Sequence, residues 1–573
     1  MKNIFSKSLL VFVLLVVIGA GTAFYKKPAP AFFEKQDIIS CMPSLSDIQP
    51  GENGKFIPVL PGLGHHTYTI STINDSTQLY FNQGLNFYYS YHFREALASF
   101  KEAARFDAGC AMAYWGQALS MGPYYNNYYY KMRKEVPGVI KTMNNLVSTA
   151  AEKEKGLIKA MQQRYSADTT NAGRVQLDSS YAAAMLLLTK QYSGDDDIKA
   201  LYVDAVMLRH KWDFWNNNGN PKPWTTELVK LCETILERDR LHPAALHYYI
   251  HLTEASKHPE LALHSADVLK NELPGVGHMV HMSTHMYQRN GLFAKGVYVN
   301  EDANTVNNYV DSIVPNLGIG KNTILHIFAV QSYCAMNAGM YSKGMPVYLR
   351  ARTRLLNLRT AVEKDPGSQD IFMLPIIAWV RLGKWQEILQ SPAPDTTWKY
   401  ASVLDDFAKG LANIRNNNLA AAKEYLLKLQ LNLGDRLLGV RDMPFNSPVQ
   451  CCNIAAGILK GELLFAEGKT GEAIAAFNQA VEEEDKLVYR EPQDWLIPAR
   501  QYLGACLLKM KKAKKAEQVY REDLISNPGN GWSLVGMYNS LVAQNKINEA
   551  GKFKTGYTKA FEAADTIPEA SVY

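Results

Sequence analysis

From Ser76 onward, hydrophobic residues recur every three to four positions, and strand-like alternation of hydrophobic and polar residues is nearly absent. The segment LYFNQGLNFYYSYHFREALASFKEAARFDAG, which begins at Leu79, shows this period in two runs separated by a short turn. Two amphipathic helices joined by a turn bury their apolar faces against each other. The pattern therefore predicts an all-α fold built from helical hairpins.

Small and aromatic residues recur within these hairpins at fixed offsets. Gly84, Ala96, Phe100 and Ala103 lie at offsets of 0, 12, 16 and 19 residues. The same spacing returns, in whole or in part, at Gly461, Ala473, Phe477 and Ala480, at Gly504, Ala516 and Tyr520, and at Gly410 and Ala422. These are the positions at which the two helices of a tetratricopeptide repeat (TPR) hairpin cross closely. A recurring unit of this kind predicts an α-solenoid of TPR-like helical hairpins with irregular insertions.

Three segments carry a closer resemblance. They read NQGLNFYYSYHFREALASFKEAARFDAGCAMAYWGQALSMGP, HPAALHYYIHLTEAS and PGVGHMVHMSTHMYQRNGLF. They resemble a group of exported bacterial TPR proteins that have a histidine-rich middle. The resemblance covers about residues 65 to 345, and the remainder is similar only to generic repeats. It implies the α-solenoid fold and transfers no catalytic residue.

The first residues have the character of an export signal. Lys2 and Lys7 precede an uninterrupted apolar stretch from Leu9 to Ile18, and the small residues Gly21 and Ala23 suit cleavage. The stretch is short for a membrane-spanning helix, so we expect a cleaved signal or, failing cleavage, an N-terminal anchor. The protein is then expected in the periplasm, or attached to the inner membrane and facing the periplasm.

The repeat pattern divides the chain into five parts. They are a signal peptide or anchor (1–24), a Pro-, Gly- and Ser-rich linker or cover (25–75), N-terminal repeats (76–195), central His-rich repeats (196–345) and C-terminal repeats (346–573). Two insertions, residues 212–227 and 304–322, interrupt the central repeats. Each is either a functional loop or a tolerated surface insertion.

Composition narrows the function classes. A chain of 573 residues is too long for one ordinary hydrophobic core, which agrees with an elongated repeat array. The net charge of +6 is small for this length, so nucleic acid is not an expected partner. The seven cysteines contain no CxxC pair, which disfavours a zinc ribbon or a disulfide scaffold. Their pairing stays open.

Histidines are concentrated in the central repeats. Eight of the thirteen lie between His242 and His285. The HxxxH pair His247 and His251 is followed 34 residues later by the pair His281 and His285. This separation is the TPR period, and a repeat stacks equivalent positions side by side. Each pair lies on one helical face, so the two pairs are expected to be neighbours.

The TPR register places these histidines on the helices that line the concave groove. Hairpin turns at Lys257, at Gly291 and around Gly339 set the register. The residues that share the groove face with the two pairs are Glu254, His278, Arg289 and His326. Met279, Met282 and Met286 fall on the packed side of their helix, where methionine fills the core.

Imidazole is the commonest metal ligand in proteins, and i,i+4 pairs can chelate one ion. His247, His251, His281 and His285 are therefore predicted to bind a transition metal, zinc or copper in the first place. Glu254 is a candidate fifth ligand, orienting partner or general base, and thus the one candidate catalytic residue. If no metal binds, His278, Arg289, His326 and Glu254 are the candidates to hold a carboxylate, a phosphate or a peptide terminus.

Three functions remain open at this point. The first is a binding or scaffold protein whose groove holds a metal ion or a small anionic or peptide ligand. The second is a metal-dependent enzyme, hydrolytic in type, that uses the same histidines with Glu254 as the base. The third is a protein-interaction scaffold with structural histidines. The chain contains no HExxH, no GxSxG and no dinucleotide fingerprint. A protein or peptide partner is expected, and a membrane contact only through the N-terminal segment.

Overall fold

The computed structural model describes residues 48–127, 130–166, 173–315, 317, 319–357, 359–440 and 445–573. In these residues the regular structure is helical, apart from one isolated bridge between Trp215 and Pro221. The all-α prediction is confirmed. The expected signal or anchor, residues 1–24, and the linker up to residue 47 lie outside the described residues.

In the part of the chain that the structure describes, the N-terminal repeats contain six α-helices. They are α1 Asp75–Tyr89, α2 Phe93–Phe106, α3 Ala111–Ser120, α4 Val136–Asn145, α5 Glu152–Gln163 and α6 Arg174–Gln191, with a short 3₁₀ helix at Val147–Thr149. The described part of the linker runs across this region as a cover. The backbone N–H of Leu60 donates to the side chain of Gln83, and that of Gly275 donates to the carbonyl oxygen of Gly62.

The central repeats follow. They are α7 Asp196–Arg209, α8 Thr225–Arg238, α9 Pro243–Thr253, α10 Leu263–Glu272, α11 Gly277–Arg289, α12 Phe293–Ile313, α13 Ile319–Asn337 and α14 Tyr341–Leu356, with a 3₁₀ helix at Pro259–Ala262. Gly291 and Gly339 have φ angles of +71° and +68° at the turns after α11 and α13, as the predicted register requires. Met279, Met282 and Met286 are fully buried, so their predicted core role is confirmed.

The C-terminal repeats complete the chain. They are α15 Arg359–Lys364, α16 Pro366–Arg381, α17 Trp385–Gln390, α18 Lys399–Arg415, α19 Leu419–Asn432, α20 Pro448–Ala466, α21 Thr470–Glu484, α22 Ala499–Lys509, α23 Ala513–Ser526, α24 Gly531–Val542 and α25 Ile547–Ala560. By length and composition α20 is apolar enough to cross a membrane, but more than half of it is buried against other helices, as in a core helix. The division of the chain into groups of repeats stays a prediction, and α14 runs across the boundary placed after residue 345.

The predicted glycine–aromatic contacts hold the hairpins together. A Cβ added to Gly84 would lie 2.8 Å from the ring of Phe100, and one added to Gly461 would lie 2.7 Å from Phe477. Tyr520 is wedged between Gly504 and Gly536, where an added Cβ would approach the ring to 2.4 and 2.3 Å. Helices can approach this closely only without a side chain at these positions, so the TPR-like crossing is confirmed.

The C-terminal repeats return onto the turns of the central repeats. Trp532 Nε1 donates to the carbonyl oxygen of Asn337 over 3.2 Å, and both the backbone N–H and the hydroxyl of Ser342 donate to Asp565. The turn at Gly291 packs directly on the backbone of Gly529. The non-helical connection between α21 and α22, residues 485–498, is thereby brought over the inner face of the central repeats.

The cysteines described here contribute to the core rather than to cross-links. Six of them are free and buried: Cys110, Cys232, Cys334, Cys451, Cys452 and Cys506. The seventh, Cys41, lies outside the described residues.

The glycine contacts generate a stability prediction. Replacing Gly504 by Ala is expected to destabilise the protein by about 1–3 kcal/mol, because the new methyl group collides with the Tyr520 ring. The matched control is Gly551→Ala in the exposed interior of α25, where an added Cβ meets nothing within 4 Å. There the better helix propensity should leave stability unchanged or raise it by up to about 1 kcal/mol. Urea unfolding followed by circular dichroism measures both, and equal midpoints for the two variants would contradict the predicted packing.

Candidate metal centre

Three neighbouring helices supply the imidazoles. His247 and His251 lie on α9, His278, His281 and His285 on α11, and His326 on α13. Residues four apart share a helical face, so each HxxxH pair points in one direction. The two predicted pairs are buried, with 2% or less of each residue exposed. The local sequence thus places a stripe of polar rings inside the fold, where each ring needs a partner.

Four donor atoms converge at one end of this stripe. His281 Nε2 lies 3.3 Å from His285 Nε2 and 3.2 Å from His326 Nε2. Glu491 Oε2 lies 3.0 Å from His285 Nε2 and 3.0 Å from His326 Nε2. Each of the four atoms thus lies within 3.3 Å of two others, and the four separations form a closed ring. Neighbouring ligands of one ion, each at a bond length of about 2.0–2.1 Å, are separated by roughly 3.0–3.4 Å, so these separations are compatible with one metal ion between the four atoms.

The opposite nitrogens of the same rings have acceptors of their own. Asn300 donates from Nδ2 to the Gly296 carbonyl oxygen, which turns its Oδ1 toward His281 Nδ1 at 2.6 Å. His285 Nδ1 lies 2.5 Å from Glu254 Oε2. Both Nδ1 atoms therefore donate, and the neutral rings direct the lone pairs of Nε2 into the centre. Ligating histidines are commonly oriented in this way by an amide or carboxylate on the other nitrogen.

Two lone pairs at 3.3 Å beside a buried carboxylate need a positive species between them, which is either a proton or a metal ion. Burial disfavours the charged form of His285, but the carboxylates of Glu491 and Glu254 outweigh it and raise its pKa to about 10. Burial lowers the pKa of His281 to about 3. Burial alone would raise the pKa of Glu491, yet His285 and His326 hold it well below its usual range. Without metal, His285 therefore holds the proton.

The other end of the stripe forms a separate group. His247 Nδ1 donates to the carbonyl oxygen of Tyr89 over 2.6 Å, and His247 Nε2 lies 3.3 Å from His278 Nε2. His251 Nδ1 lies 2.9 Å from Glu254 Oε1. The four histidines predicted to share one ion are thus divided into two groups: His281 and His285 join His326, and His247 and His251 join His278.

Glu254 and Arg289 are placed as orienting residues. Each oxygen of Glu254 faces an imidazole Nδ1, one from His251 and one from His285, and the residue is fully buried. This arrangement favours the orienting role over that of a general base. Arg289 donates to the backbone carbonyl oxygens of Glu254, Ser256 and Ser526 over 2.9, 3.0 and 3.2 Å. These contacts occupy its guanidinium group, so anion binding by Arg289 stays a prediction without support from the geometry.

Aromatic side chains cover the face of the histidine helices that was predicted to line a concave groove. The ring of Trp212 lies 5.8 Å from that of His251, 5.3 Å from that of Phe445 and 6.5 Å from that of Tyr489. The Tyr489 hydroxyl lies 3.4 Å from Glu254 Oε2. The insertion at residues 212–227 therefore forms part of the wall of the site. The chain's own C-terminal connection lies over the groove and buries the two HxxxH pairs, whereas 42% of the His326 side chain stays exposed.

Sequence reasoning missed the residues that come from outside the histidine helices. Glu491 lies in the non-helical connection between α21 and α22, where no repeat period assigns it to a face. Asn300 lies on α12, on the side turned toward α11, and its position in the register could have indicated it. Tyr89 contributes a backbone carbonyl oxygen, which carries no sequence signal.

Comparisons with known proteins assign neither a family nor a function to this chain. No family model matches the chain, and no curated protein matches it. Among solved structures, the chain is similar to a human IFIT1 dimer with m7Gppp-AAAA, at 12% identity over 86% of this chain and 91% of the other, with a TM-score of 0.30. It is similar to yeast Tom70 at 11% identity over 79% and 92%, with a TM-score of 0.28. It is similar to the P58(IPK) TPR domain at 12% identity over 67% and 97%, with a TM-score of 0.18. These likenesses are too weak to assign a family or a function, and the TPR-like fold rests on the hairpins themselves.

The electrostatics of the centre predict how metal affinity depends on pH. Below a pKa of about 10, His285 carries a proton on the nitrogen that a metal ion would take. Raising the pH frees that nitrogen, so affinity should rise about tenfold per pH unit between pH 7 and 9, with one proton released per ion. Competition against a chelator, corrected for its own protonation, measures the dependence. An affinity that does not change with pH would contradict the assignment of the proton to His285.

Proposed function

We propose that this protein is a metal-binding TPR-like solenoid that holds a zinc ion between His281, His285, His326 and Glu491. The observation that carries the proposal is the closed ring of four donor atoms at separations of 3.0–3.3 Å. Three imidazole nitrogens and one carboxylate oxygen disfavour calcium and magnesium, which take oxygen ligands. Imidazole nitrogens together with a carboxylate oxygen are a common ligand set for zinc.

The ion has a structural task in this proposal. Glu491 belongs to the connection after α21, whereas the three histidines belong to α11 and α13. One ion would join the two halves of the chain at the point where the C-terminal repeats return onto the central ones. Four protein donors leave no open coordination position, which is typical of structural sites rather than catalytic ones. Hydrolysis at this ion is therefore not the function that the geometry favours.

The charges support the same assignment. Glu254 and Glu491 are two buried carboxylates, with 0% and 5% of each residue exposed. Burying a carboxylate charge with no cation to compensate it costs on the order of several kcal/mol. A divalent ion compensates both carboxylates, whereas a protonated His285 compensates one.

We also propose that the protein is exported and binds a protein partner. The export proposal depends on the charged and apolar pattern of residues 1–24. A partner cannot lie in the central groove, because the chain's own connection occupies it. One exposed alternative is the pair Leu427 and Leu431 on α19, with 56% and 74% of each residue exposed and one helical turn between them.

Metal analysis tests the zinc proposal. Protein purified without an affinity tag should contain zinc, and Glu491→Gln and His285→Gln should weaken its binding by about 100-fold or more, since even an orienting partner contributes 10- to 100-fold. His258→Gln is the matched control, because His258 is exposed and lies outside the stripe. If wild-type protein took up no stoichiometric zinc on reconstitution, or if Glu491→Gln bound zinc as tightly as wild type, the proposal would be wrong.

Metal removal tests the structural task. A ligand at 1,000 times its Kd stabilises the folded state by about 4 kcal/mol, so chelation should lower the unfolding midpoint clearly. Hydrogen exchange should increase first at residues 485–498, because the ion anchors this connection through Glu491. The backbone of α25, which supplies no donor to the ion, serves as the internal reference. Uniform exchange changes along the whole chain would argue against a local anchor.

A further inference from the structure

We propose a second metal site, in which His247, His251 and His278 bind one ion and leave a fourth coordination position for hydroxide or another small anion. The donor atoms of these three residues lie within 4.8 Å of one another, and none of them belongs to the ring of donors around Glu491. The donor set is therefore independent of the proposed zinc centre. Three histidines and an open position are a common arrangement for a metal that binds an exogenous ligand.

The hydrogen bonds fix the direction of the donor nitrogens. His247 Nδ1 donates to the Tyr89 carbonyl oxygen, and His251 Nδ1 faces Glu254 Oε1, so both rings direct the lone pair of Nε2 into the group. His251 Nε2 is buried and has no hydrogen-bond partner, although 2% of the residue is exposed. Leaving a buried acceptor unsatisfied is unfavourable, and a metal ion removes this cost.

Glu254 links this site to the first one. Its Oε1 orients His251 and its Oε2 orients His285, so one carboxylate serves a ligand of each ion. A carboxylate behind a ligating imidazole raises the basicity of that ligand. The two sites therefore share their orienting residue and none of their ligands.

The net charge of the ions and carboxylates around the two sets of ligands favours an anion on the open position. The three imidazoles are neutral ligands. Among the residues that the structure describes, Glu254 and Glu491 are the carboxylates in contact with the two sets of ligands. Two divalent ions with two carboxylates leave an excess of positive charge in a region of low dielectric constant. This count rests on the proposed zinc ion, whereas the donor set of the second site does not. A small anion on the open position lowers the excess.

Tyr91 indicates where that anion would lie. Its ring lies 4.6 Å from that of His247, 5.9 Å from that of His251 and 6.1 Å from that of His278. It has φ +58° at the hairpin turn after α1, a conformation that the turns after α11 and α13 give to glycine. Asn417, Lys511 and Asn545 take the same conformation at other hairpin turns, so this φ angle belongs to the repeat turn, which here holds the Tyr91 ring beside the histidines. The Tyr91 hydroxyl is buried and has no hydrogen-bond partner, which makes it a candidate donor to the bound anion.

Cobalt(II), as a spectroscopic stand-in for zinc, and azide, as a small anion, test the site. Chelator-treated wild-type protein should bind two cobalt ions, and azide should change the visible spectrum of one of them. His278→Gln should bind one ion and lose the response to azide. Glu491→Gln should lose the other ion and keep the response; His326→Gln replaces it if Glu491→Gln does not fold. Tyr91→Phe should keep both ions and bind azide roughly threefold to tenfold more weakly, the effect of one lost hydrogen bond.

The outcomes separate this inference from the zinc proposal. A single ion in wild type that Glu491→Gln removes and His278→Gln retains would overturn the second site and leave the first. A single ion that His278→Gln removes would support the second site and overturn the first. Two ions with no response to azide would overturn the open position; His92, whose buried Nε2 has no hydrogen-bond partner and whose ring lies 6.3 Å from that of His278, would then be the fourth ligand to examine.

Discussion

Glu254 is a carboxylate at the end of α9 that no water reaches, and the arrangement of the centre depends on how its two oxygens are used. Each oxygen accepts a hydrogen bond from an imidazole Nδ1, at 2.9 Å from His251 and 2.5 Å from His285. Because Nδ1 is occupied, Nε2 of each ring must face the opposite way, into one of two groups of donors. The same residue also holds Arg289 through its backbone carbonyl oxygen. A change in this one carboxylate would therefore disturb two helices and both groups of histidines.

The fold supplies what a single hairpin cannot. An HxxxH pair on an isolated helix offers two nitrogens on one face, whereas neighbouring repeats bring a second and a third face within a few ångströms. The return of the C-terminal repeats then adds a carboxylate from the far end of the chain. Burial of Glu491 and of both HxxxH pairs strengthens the electrostatic interactions among them and makes an unpaired charge unfavourable. The site thus belongs to the closed array as a whole, although six of its side chains come from three consecutive hairpins.

The sequence predicted the parts of this structure that depend on local periodicity. The hairpins, the glycine–aromatic crossings at Gly84 and Gly504, and the turns at Gly291 and Gly339 follow from spacing that the chain itself displays. The same periodicity placed His281 and His285 on one face. It could not divide the histidines into two groups, because that division depends on the angle between helices. It could not find Glu491 either, because this residue lies in a non-periodic connection 165 residues beyond His326 and reaches the site only after the C-terminal repeats have returned onto the central ones.

Closure of the array also limits how this chain can evolve. An open solenoid gains or loses a hairpin with little effect beyond the neighbouring repeats, since each unit contacts only the units beside it. Here the intervening hairpins must pack so that Glu491 lies next to His285. Inserting or deleting one hairpin between α14 and α21 would shift Glu491 by about the 8–10 Å spacing of packed helices, well beyond the reach of a metal bond. The number of repeats in this stretch is therefore fixed by the geometry of four atoms, and variation between related chains should be confined to loops and to repeats outside the closed part.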